Sequence, residues 1–263
     1  MVKGLINMKK AIFVTVRTGS TRLPNKSLLE INGKKTIEYV IDRVKGSKLV
    51  DEIILCTTMS PNDDILCQIA LEKDILVFRG SEKDKLDRWQ KAASAYNIDF
   101  FISADGDDLF CGVELMDLVF EKLDKEDFDF IEWDNEFLPC GAFSYGMKVS
   151  ALNKVCEIKD SDDTEMMWVY FTDTGLFKTR KLNDVPVVFN KPGWRLTLDY
   201  EDDLRFFEKV IGDFSIKGLD LSLRNILEYL DENPDVVKIN QYLEEKYVEN
   251  QKSKINMILK ETE

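Results

Sequence analysis

The sequence predicts an α/β protein built on a doubly wound, mostly parallel β-sheet, and two features of its first 125 residues support this. Short apolar runs rich in β-branched residues alternate with helical patterns of roughly 10 to 14 residues, the arrangement of parallel strands joined by crossover helices. Polar, charged stretches follow the first and fourth of these runs, where such sheets place ligand sites. With 263 residues, 44% hydrophobic and 32% charged, the chain can bury one sizeable core.

The predicted elements follow in order. Apolar β-branched runs predict strands at 11–16, 52–57, 76–78 and 100–103, and apolar spacing of three and four residues predicts helices at 36–45, 63–72, 83–96 and 113–125. Beyond residue 126 the pattern is less regular, with strands expected at 128–133, 142–149 and 185–189 and short helices at 151–156 and 164–171. A strand beginning at 194 should return to the sheet, followed by helices at 202–211, 223–230 and 239–259, the last with a solvated charged face.

The stretch 11–26, AIFVTVRTGSTRLPNK, has the composition of a phosphate site. A buried strand opens directly into a loop of small and cationic residues, namely Arg17, Gly19, Ser20, Arg22 and Lys26. The glycine lets the backbone approach an anion, successive N–H groups can form a concave nest, and the cations can donate charge-assisted hydrogen bonds. A solvated cationic turn is the less favoured alternative, because the three cations repel one another unless an anion joins them.

A Walker A loop is a second alternative for this stretch. Lys26 and Ser27 match the end of G-x-x-x-x-G-K-[ST], but Ser20 and Asn25 stand where the two glycines belong. The chain that follows reads as irregular, with a turn at 32–33, whereas a Walker loop leads straight into a helix. The pattern therefore disfavours a P-loop.

Three carboxylates lie within four residues in the stretch 104–110, ADGDDLF, at the end of the fourth predicted strand. Carboxylates this close repel strongly, and a hard divalent cation is the ordinary way to stabilise them. The alternative is an Asp-rich turn that caps the following helix. The stretch therefore indicates a metal site or a helix cap.

These motifs resemble those of a known family. The pattern R-x-G-S-x-R-L-P-x-K after the first strand is similar to the signature of the cytidylyltransferases that activate sugar acids, and especially to the branch of spore coat polysaccharide biosynthesis proteins. The similarity runs through most of 9–125, and WRLTLDYEDDL at 194–204 resembles the family pattern R-x-T-x-D-x-x-x-D. Family members have glycine where this chain has Asn25, a residue that tolerates the left-handed conformation.

The resemblance implies a Rossmann-like, GT-A-like nucleotidyltransferase fold in one domain, 1–263. Its parts would be a nucleotide-binding part at 9–125, a small α+β acceptor and dimerisation excursion at 126–193, and a returning strand with a helical tail at 194–263. A homodimer through 130–190 is expected, supported by the aromatic and methionine content of that region.

The resemblance also implies roles for individual residues. The expected catalytic residues are Arg17, Lys26, Asp107 and Asp199, of which Asp107 and Asp199 would hold Mg²⁺, with Asp105 as an alternative ligand. The expected nucleotide-binding residues are Arg17, Gly19, Ser20, Arg22, Lys26, Gly80, Ser81, Arg88 and Asp105. The expected acceptor-binding residues are Gly141, Glu165 and Arg195. For Arg88 an ion pair with Asp84, one turn back on the same helix, is the alternative.

Composition excludes several other functions. A formal charge of −13 argues against a nucleic-acid-binding surface, and the absence of histidine removes Ser-His-Asp, Cys-His and His-metal chemistries. Five scattered cysteines suggest neither a disulfide frame nor a zinc site. No membrane helix and no signal-peptide pattern are visible, so a cytoplasmic location is expected.

The expected reaction is transfer of CMP from CTP to an acidic ulosonate-type sugar, with release of pyrophosphate. Glu-Met-Met-Trp replaces the family's Glu-His-Val-Thr from Glu165 onward, which indicates a remodelled acceptor pocket. A phosphonate or phosphorylated acceptor, and a non-catalytic nucleotide- or sugar-binding protein, are the alternatives. Retention of both Asp107 and Asp199 favours the enzyme.

Overall fold

A computed structural model of the chain describes residues 8–261. The first seven residues, part of the amino-terminal stretch without a signal-peptide pattern, lie outside the described residues. Among residues 8–261, no helix has the length and apolar character needed to cross a bilayer.

Strands and helices alternate through the first half of the chain. The strands are β1 (Lys10–Thr15), β2 (Glu30–Ile31), β3 (Lys34–Lys35), β4 (Glu52–Thr58), β5 (Leu76–Gly80), β6 (Phe100–Asp105), β7 (Phe130–Trp133), β8 (Tyr145–Lys148) and β9 (Thr179–Leu182). The helices are α1 (Thr36–Val44), α2 (Asp64–Glu72), α3 (Lys85–Tyr96), α4 (Val113–Leu123), α5 (Val149–Ile158), α6 (Val169–Thr172), α7 (Glu201–Lys217), α8 (Leu223–Glu232), α9 (Pro234–Val237) and α10 (Leu243–Ser253).

One seven-stranded sheet organises the molecule, in the order β5-β4-β1-β6-β8-β7-β9. The four strands from β5 to β6 run parallel, whereas β8 is antiparallel to both β6 and β7, and β9 returns parallel to β7. The predicted fold class is therefore confirmed. The strands of the 126–193 region extend the central sheet rather than forming a separate one.

Two apolar clusters cover the two faces of the sheet, and β1 shows why. Ile12 and Val14 point into the larger cluster with α1, α2 and α4, whereas Ala11 and Phe13 point into the other with α3 and α5. Strand side chains alternate between faces, so a continuous apolar run such as β1 is buried on both sides. All four side chains are fully buried, and each larger one stabilises the fold by about 1.5–3 kcal/mol.

The turn chemistry of the first loop follows the sequence. Asn25 has φ 54° and ψ 28°, the left-handed conformation expected of an asparagine that replaces glycine. Lys26–Leu28 is a short 3₁₀ helix, and the chain then turns at Asn32 and Gly33 between β2 and β3 before α1 begins. Because the loop does not open into an α-helix, the Walker A alternative is wrong.

Four predicted elements are wrong in position or extent. In place of the short helix expected at 164–171, the structure has α6, which begins only at Val169. The run 185–189 contains the 3₁₀ helix Val187–Phe189, and the edge strand is β9 instead. The predicted helix 239–259 is shorter, with α10 ending at Ser253. The stretch 194–199 is extended but is not a sheet strand, and its one β-bridge joins Cys140 to Arg195. Its backbone pairs with two loops rather than with a strand, which no local pattern reveals.

Candidate active site

A cavity of about 360 Å³ opens at the carboxyl ends of β1, β5 and β6. Its walls come from the loops that follow these strands, from the 133–168 region and from α10. This is the edge where parallel α/β sheets bind ligands, and the volume lies in the range of small-molecule sites.

The cavity concentrates positive charge in a chain whose net charge is −13. Seven basic side chains line it, against five acidic ones. The basic residues are Arg17, Arg22, Lys26, Lys83, Lys85, Arg88 and Lys254, and the acidic residues are Glu82, Asp105, Asp107, Asp108 and Glu165. A compact anion with bound cations matches this surface better than an extended polyanion does.

The loop after β1 is held by Asp63, a buried residue that the sequence-based site assignment missed. Its carboxylate accepts hydrogen bonds from the Thr18 N–H (2.9 Å) and hydroxyl (2.7 Å), and from the hydroxyls of Thr57 (3.0 Å) and Thr58. Burial alone raises the pKa of Asp63, but the hydrogen bonds from Thr58, Thr18 and Thr57 outweigh it and lower the pKa. Asp63 therefore ties the first loop to the end of β4.

The loop presents its cations and open backbone to the cavity. Arg17 Nη1 donates to the Glu82 carbonyl (3.0 Å), and its Nη2 lies 3.6 Å from the Glu165 carboxylate. A side chain at Gly19 would meet no atom within 4 Å, so the backbone there is open to a ligand. Ser20 and Arg22 line the same wall.

Lys26 joins the two predicted metal ligands. Its ammonium lies 2.7 Å from Asp199 Oδ1 and contacts Asp107 Oδ2. Burial alone lowers the pKa of Lys26, but the two carboxylates outweigh it and raise the pKa. Arg22 also pairs with Asp199, which is 1% exposed. Residues 92 positions apart (199 − 107) therefore converge on one cation.

The extended segment 194–199 brings Asp199 to this place. Leu198 N–H donates to the Asp107 carbonyl (2.9 Å), and Leu196 N–H donates to the Cys140 carbonyl (2.7 Å). These backbone bonds pair the segment with the loop after β6 and with the loop between β7 and β8. Asp199 then lies at the start of α7 without closing a strand.

Arg195 lies behind Asp199 and does not line the cavity. Its guanidinium is fully buried and donates to Asp203 (2.8 and 3.1 Å), to Asp199 (3.3 Å) and to Glu244 (3.2 Å). Burial alone lowers the pKa of Arg195, but Asp203, Cys140 and Asp199 raise it. Since its donors are used by carboxylates, the position of Arg195 does not match the acceptor-binding role assigned from the sequence. It instead orients Asp199.

Asp107, rather than Asp105, shares the cation with Asp199. Asp105 lies 3.8 Å from the Lys85 ammonium and 3.3 Å from the Ser144 hydroxyl. Burial and repulsion from Asp199 and Asp105 raise the pKa of Asp107, although Lys26 opposes this. The helix-cap alternative for this turn is wrong, because α4 begins after Gly112, which has no side-chain cap.

The residues present fit a divalent metal bound together with nucleotide. Asp107 and Asp199 aim oxygen atoms at one point that already attracts a cation, and Mg²⁺ prefers such hard oxygen donors. In the described part of the chain, no three acidic, cysteine or histidine side chains are grouped closely enough to hold a metal by themselves. Water and phosphate oxygens would complete the coordination.

Arg88 is a buried cation that faces the cavity. It donates to the Ser81 carbonyl, and its Nε has no hydrogen-bond partner among residues 8–261. Burial lowers the pKa of Arg88, and neighbouring Arg17 lowers it further. The alternative ion pair with Asp84 is not formed, since the carboxylate of Asp84 pairs with Lys159. Arg88 therefore brings to the cavity wall a cation without a carboxylate partner within the part of the chain that the structure describes.

Gly80 and Ser81 do not line the cavity. A side chain at Gly80 would lie 2.9 Å from Arg88 Cγ, so glycine makes room for the arginine stem. Ser81 accepts from Arg88 through its carbonyl. The structure places both residues behind Arg88, where they position it.

Gly141 and Glu165, the residues predicted to bind the acceptor, line the cavity together with an aromatic wall. Gly141 has φ 84°, and a Cβ atom there would lie 2.6 Å from the Leu196 carbonyl oxygen, so only glycine fits. The Tyr145 and Trp168 rings are stacked 6.1 Å apart at 15°. The wall also contains Trp133, Phe143 and Met166.

Comparison with known proteins agrees with this geometry. A family model described as cytidylyltransferase matches residues 11–181. The chain belongs to the cytidylyltransferase family. It is therefore a nucleotidyltransferase.

Several known proteins align with most of the length of this cytidylyltransferase. It is 33% identical over 241 residues to an uncharacterized protein of Methanocaldococcus jannaschii, covering 91% of this chain and 97% of that protein. It is 26% identical over 229 residues to spore coat polysaccharide biosynthesis protein SpsF of Bacillus subtilis, covering 84% and 94%. The solved structure of a cytidylyltransferase from Leptospira borgpetersenii superposes with a TM-score of 0.78 at 26% identity, covering 88% of this chain and 97% of that one.

Sequence patterns alone do not identify several cavity residues of this cytidylyltransferase. They include the aromatic wall, Lys85 and the α10 residues Tyr247, Asn250 and Gln251. Asp63, which holds the first loop from behind without lining the cavity, is a further example. The Met-Met-Trp run reads as core by composition, and only Met167 is fully buried, whereas Met166 and Trp168 face the cavity. The spacing of 247, 250 and 251 on one helical face is the one local signal that could have found the α10 residues.

Proposed function

We propose that this cytidylyltransferase transfers CMP from CTP to an acidic, ulosonate-type sugar and releases pyrophosphate. The observation that carries the proposal is the convergence of Asp107 and Asp199 on the Lys26 ammonium, beside a loop rich in cations. A binding protein has no need of two carboxylates at one point, whereas phosphoryl transfer needs a place for a charge-neutralising cation.

In the proposed reaction, an acceptor oxygen attacks the α-phosphorus of CTP. A new O–P bond forms to the acceptor, whose hydroxyl O–H bond breaks and releases its proton to solvent. The bond from the α-phosphorus to the bridging oxygen breaks, and its electron pair leaves with pyrophosphate. Arg17, Arg22 and Lys26 hold the phosphates and neutralise charge that develops on them. Arg88 supplies a further buried cation on the same wall. Mg²⁺ held by Asp107 and Asp199 supplies further charge neutralisation when bound.

The acidic-sugar acceptor has separate support. The similar Bacillus protein is named for polysaccharide biosynthesis, which suits a sugar product. The acceptor side of the cavity combines an aromatic wall with polar side chains, as sites that bind an amphipathic ring do. A phosphonate or a phosphorylated metabolite is the competing acceptor class.

Pyrophosphate release from CTP, measured with a panel of acceptors, tests the proposal. The panel should contain an octulosonate, a nonulosonate, a phosphonate and a phosphorylated sugar, with Asp107→Asn as the inactive control. We expect turnover with a ulosonate and Mg²⁺. Turnover with a phosphonate alone would replace the acceptor class, and CTP binding without any turnover would favour the non-catalytic alternative.

A homodimer through the 130–190 region is a further part of the proposal, but the residues that support it differ from those that the sequence suggested. The aromatic and methionine residues that motivated it are largely internal, since Met167, Tyr170 and Phe171 are buried. Exposed Leu176 (58%) and Val187 (85%) instead flank the edge strand β9, and such edges often pair with another chain. Sedimentation at micromolar concentration should show a dimer, and a monomer there would count against it.

The cytoplasmic location expected from the sequence also belongs to the proposal. All five cysteines are free thiols, which suits a reducing compartment.

A further inference from the structure

The segment 243–260 lines the cavity through residues 247–254 and is held in place at both ends. At one side the Glu244 carboxylate pairs with buried Arg195 (3.2 Å), and the Tyr247 ring lies 4.6 Å from the same guanidinium. At the other side Asp160 N–H donates to the Ile258 carbonyl (2.9 Å) and Lys260 N–H donates to the Ile158 carbonyl (2.8 Å), at the end of α5. The segment is therefore a fixed wall.

The face that α10 and the residue after it turn to the cavity is polar. Tyr247, Asn250, Gln251 and Lys254 all line the cavity, and their spacing of three, four and seven residues places them on one helical face. A helix that packs on a protein normally turns apolar residues inward, and this stripe departs from that rule. Side-chain amides both donate and accept hydrogen bonds, as hydroxyl groups do. The stripe therefore has the chemistry to bind a polyhydroxylated molecule.

Lys254 is the cation of this wall and shares the Glu165 carboxylate with Arg17 of the phosphate loop. It is 3.7 Å from one oxygen of Glu165, whose other oxygen is 3.6 Å from Arg17. Both pairs are long and roughly 40% exposed, so neither holds its cation strongly. A triphosphate on the loop competes for Arg17, and an entering carboxylate can take Lys254 from Glu165 without leaving a buried charge.

We propose that α10 and Lys254 form the acceptor subsite, with Lys254 binding the acceptor carboxylate and the amides of Asn250 and Gln251 binding its hydroxyl groups. This inference rests on the proposed function. The residues lie beyond 181, where the match to the family model ends, so that match assigns them no role. In this proposal they determine specificity for the acceptor.

Steady-state kinetics of Lys254→Ala with the ulosonate found by the pyrophosphate panel test the subsite. We expect the acceptor KM to rise about 10-fold or more, while the KM for CTP and the melting temperature stay within error of wild type. Lys252→Ala removes the same charge from an exposed position of α10 and should change neither KM. Lys254→Arg should restore most of the acceptor affinity.

A neutral carboxamide analogue of the acceptor separates charge recognition from packing. Wild type and Lys254→Ala should have equal KM values for the carboxamide, because the lysine then has no carboxylate to bind. An unchanged acceptor KM in Lys254→Ala, or an equal loss with acid and carboxamide, overturns the subsite while the proposed reaction stands. If wild type releases no pyrophosphate with any acceptor, the proposed function is wrong, and the subsite that rests on it is wrong as well.

Discussion

The two walls of the cavity are built in different ways. The phosphate wall comes from loops that directly follow β1, β5 and β6, so its residues lie close to strand ends that the sheet itself places side by side. The acceptor wall is assembled from Trp133, Gly141, Trp168 and α10, which belong to separate segments outside the parallel strands. The proposed phosphate site is thus encoded in contiguous motifs, whereas the proposed acceptor site depends on how distant segments pack.

The largest expected effect is on the carboxylate pair at the base of the phosphate wall. Asp107→Asn and Asp199→Asn should each reduce turnover on the order of 100-fold or more, since the cation held there stabilises developing charge by several kcal/mol. Pyrophosphate release with saturating substrates measures this. The matched control is Asp105→Asn, whose carboxylate lies near Lys85 instead.

Two outcomes would contradict the carboxylate model. An inactive Asp105→Asn beside an active Asp107→Asn would move the metal ligand to residue 105. Full activity in Asp199→Asn would show that one carboxylate suffices.

The next effect concerns the cations of the same wall. Arg17→Ala and Lys26→Ala should each weaken CTP binding by about 10- to 100-fold, because a charge-assisted contact to phosphate is worth about 1.5–3 kcal/mol. Calorimetric titration with CTP measures the change, and Lys252→Ala serves as the charge control. Wild-type CTP affinity in both variants would mean that the phosphate loop is assigned wrongly.

Substitution of Asp63 tests whether the phosphate wall depends on a buried carboxylate that holds its loop in place. Asp63→Asn should lower the free energy of unfolding at pH 7 by about 1–3 kcal/mol, since an amide cannot accept all of the hydrogen bonds that the carboxylate accepts. CTP binding should weaken while the acceptor KM stays unchanged. Exposed Asp162→Asn is the matched control.

The pH dependence of this effect has a definite sign. The fold lowers the pKa of Asp63, so its stabilisation is fully present above the ordinary carboxyl pKa of about 4 and is lost as pH falls through the lower folded value. Denaturation curves of wild type and Asp63→Asn should therefore converge below about pH 4. A constant difference down to pH 2 would contradict the role given to the carboxylate.

The smallest expected effect lies on the acceptor wall. Trp168→Ala removes one ring of the stack with Tyr145 and should raise the acceptor KM about 3- to 10-fold, in line with the 0.5–1.5 kcal/mol of aromatic contacts. CTP affinity should not change, and Trp168→Phe should behave nearly as wild type. A loss of CTP binding instead would show that the two walls are not separate.

Much of the phosphate wall could be predicted from sequence because its signals are local. Apolar runs and helical spacing predict β1, β4, α1 and α3, and an asparagine at a left-handed position predicts the course of the loop. The strand-end placement of the cations and of Asp107 follows from parallel-sheet topology. The family resemblance assigns Gly80, Ser81 and Arg88 together to the nucleotide site, but it cannot show that Gly80 and Ser81 lie behind Arg88.

Only the tertiary structure decided how the remaining pieces meet. The segment 194–199 reads as a strand, yet its N–H groups pair with the carbonyls of Cys140 and Asp107, and this pairing carries Asp199 to the site and turns Arg195 away from it. The sequence of α10 predicts a face exposed to solvent, yet its polar residues line the cavity. The periodicity of apolar residues in a sequence shows which face of a helix or strand is apolar and which is polar. What each face contacts depends on backbone groups and side chains that lie far away in the chain and come together only when the chain folds.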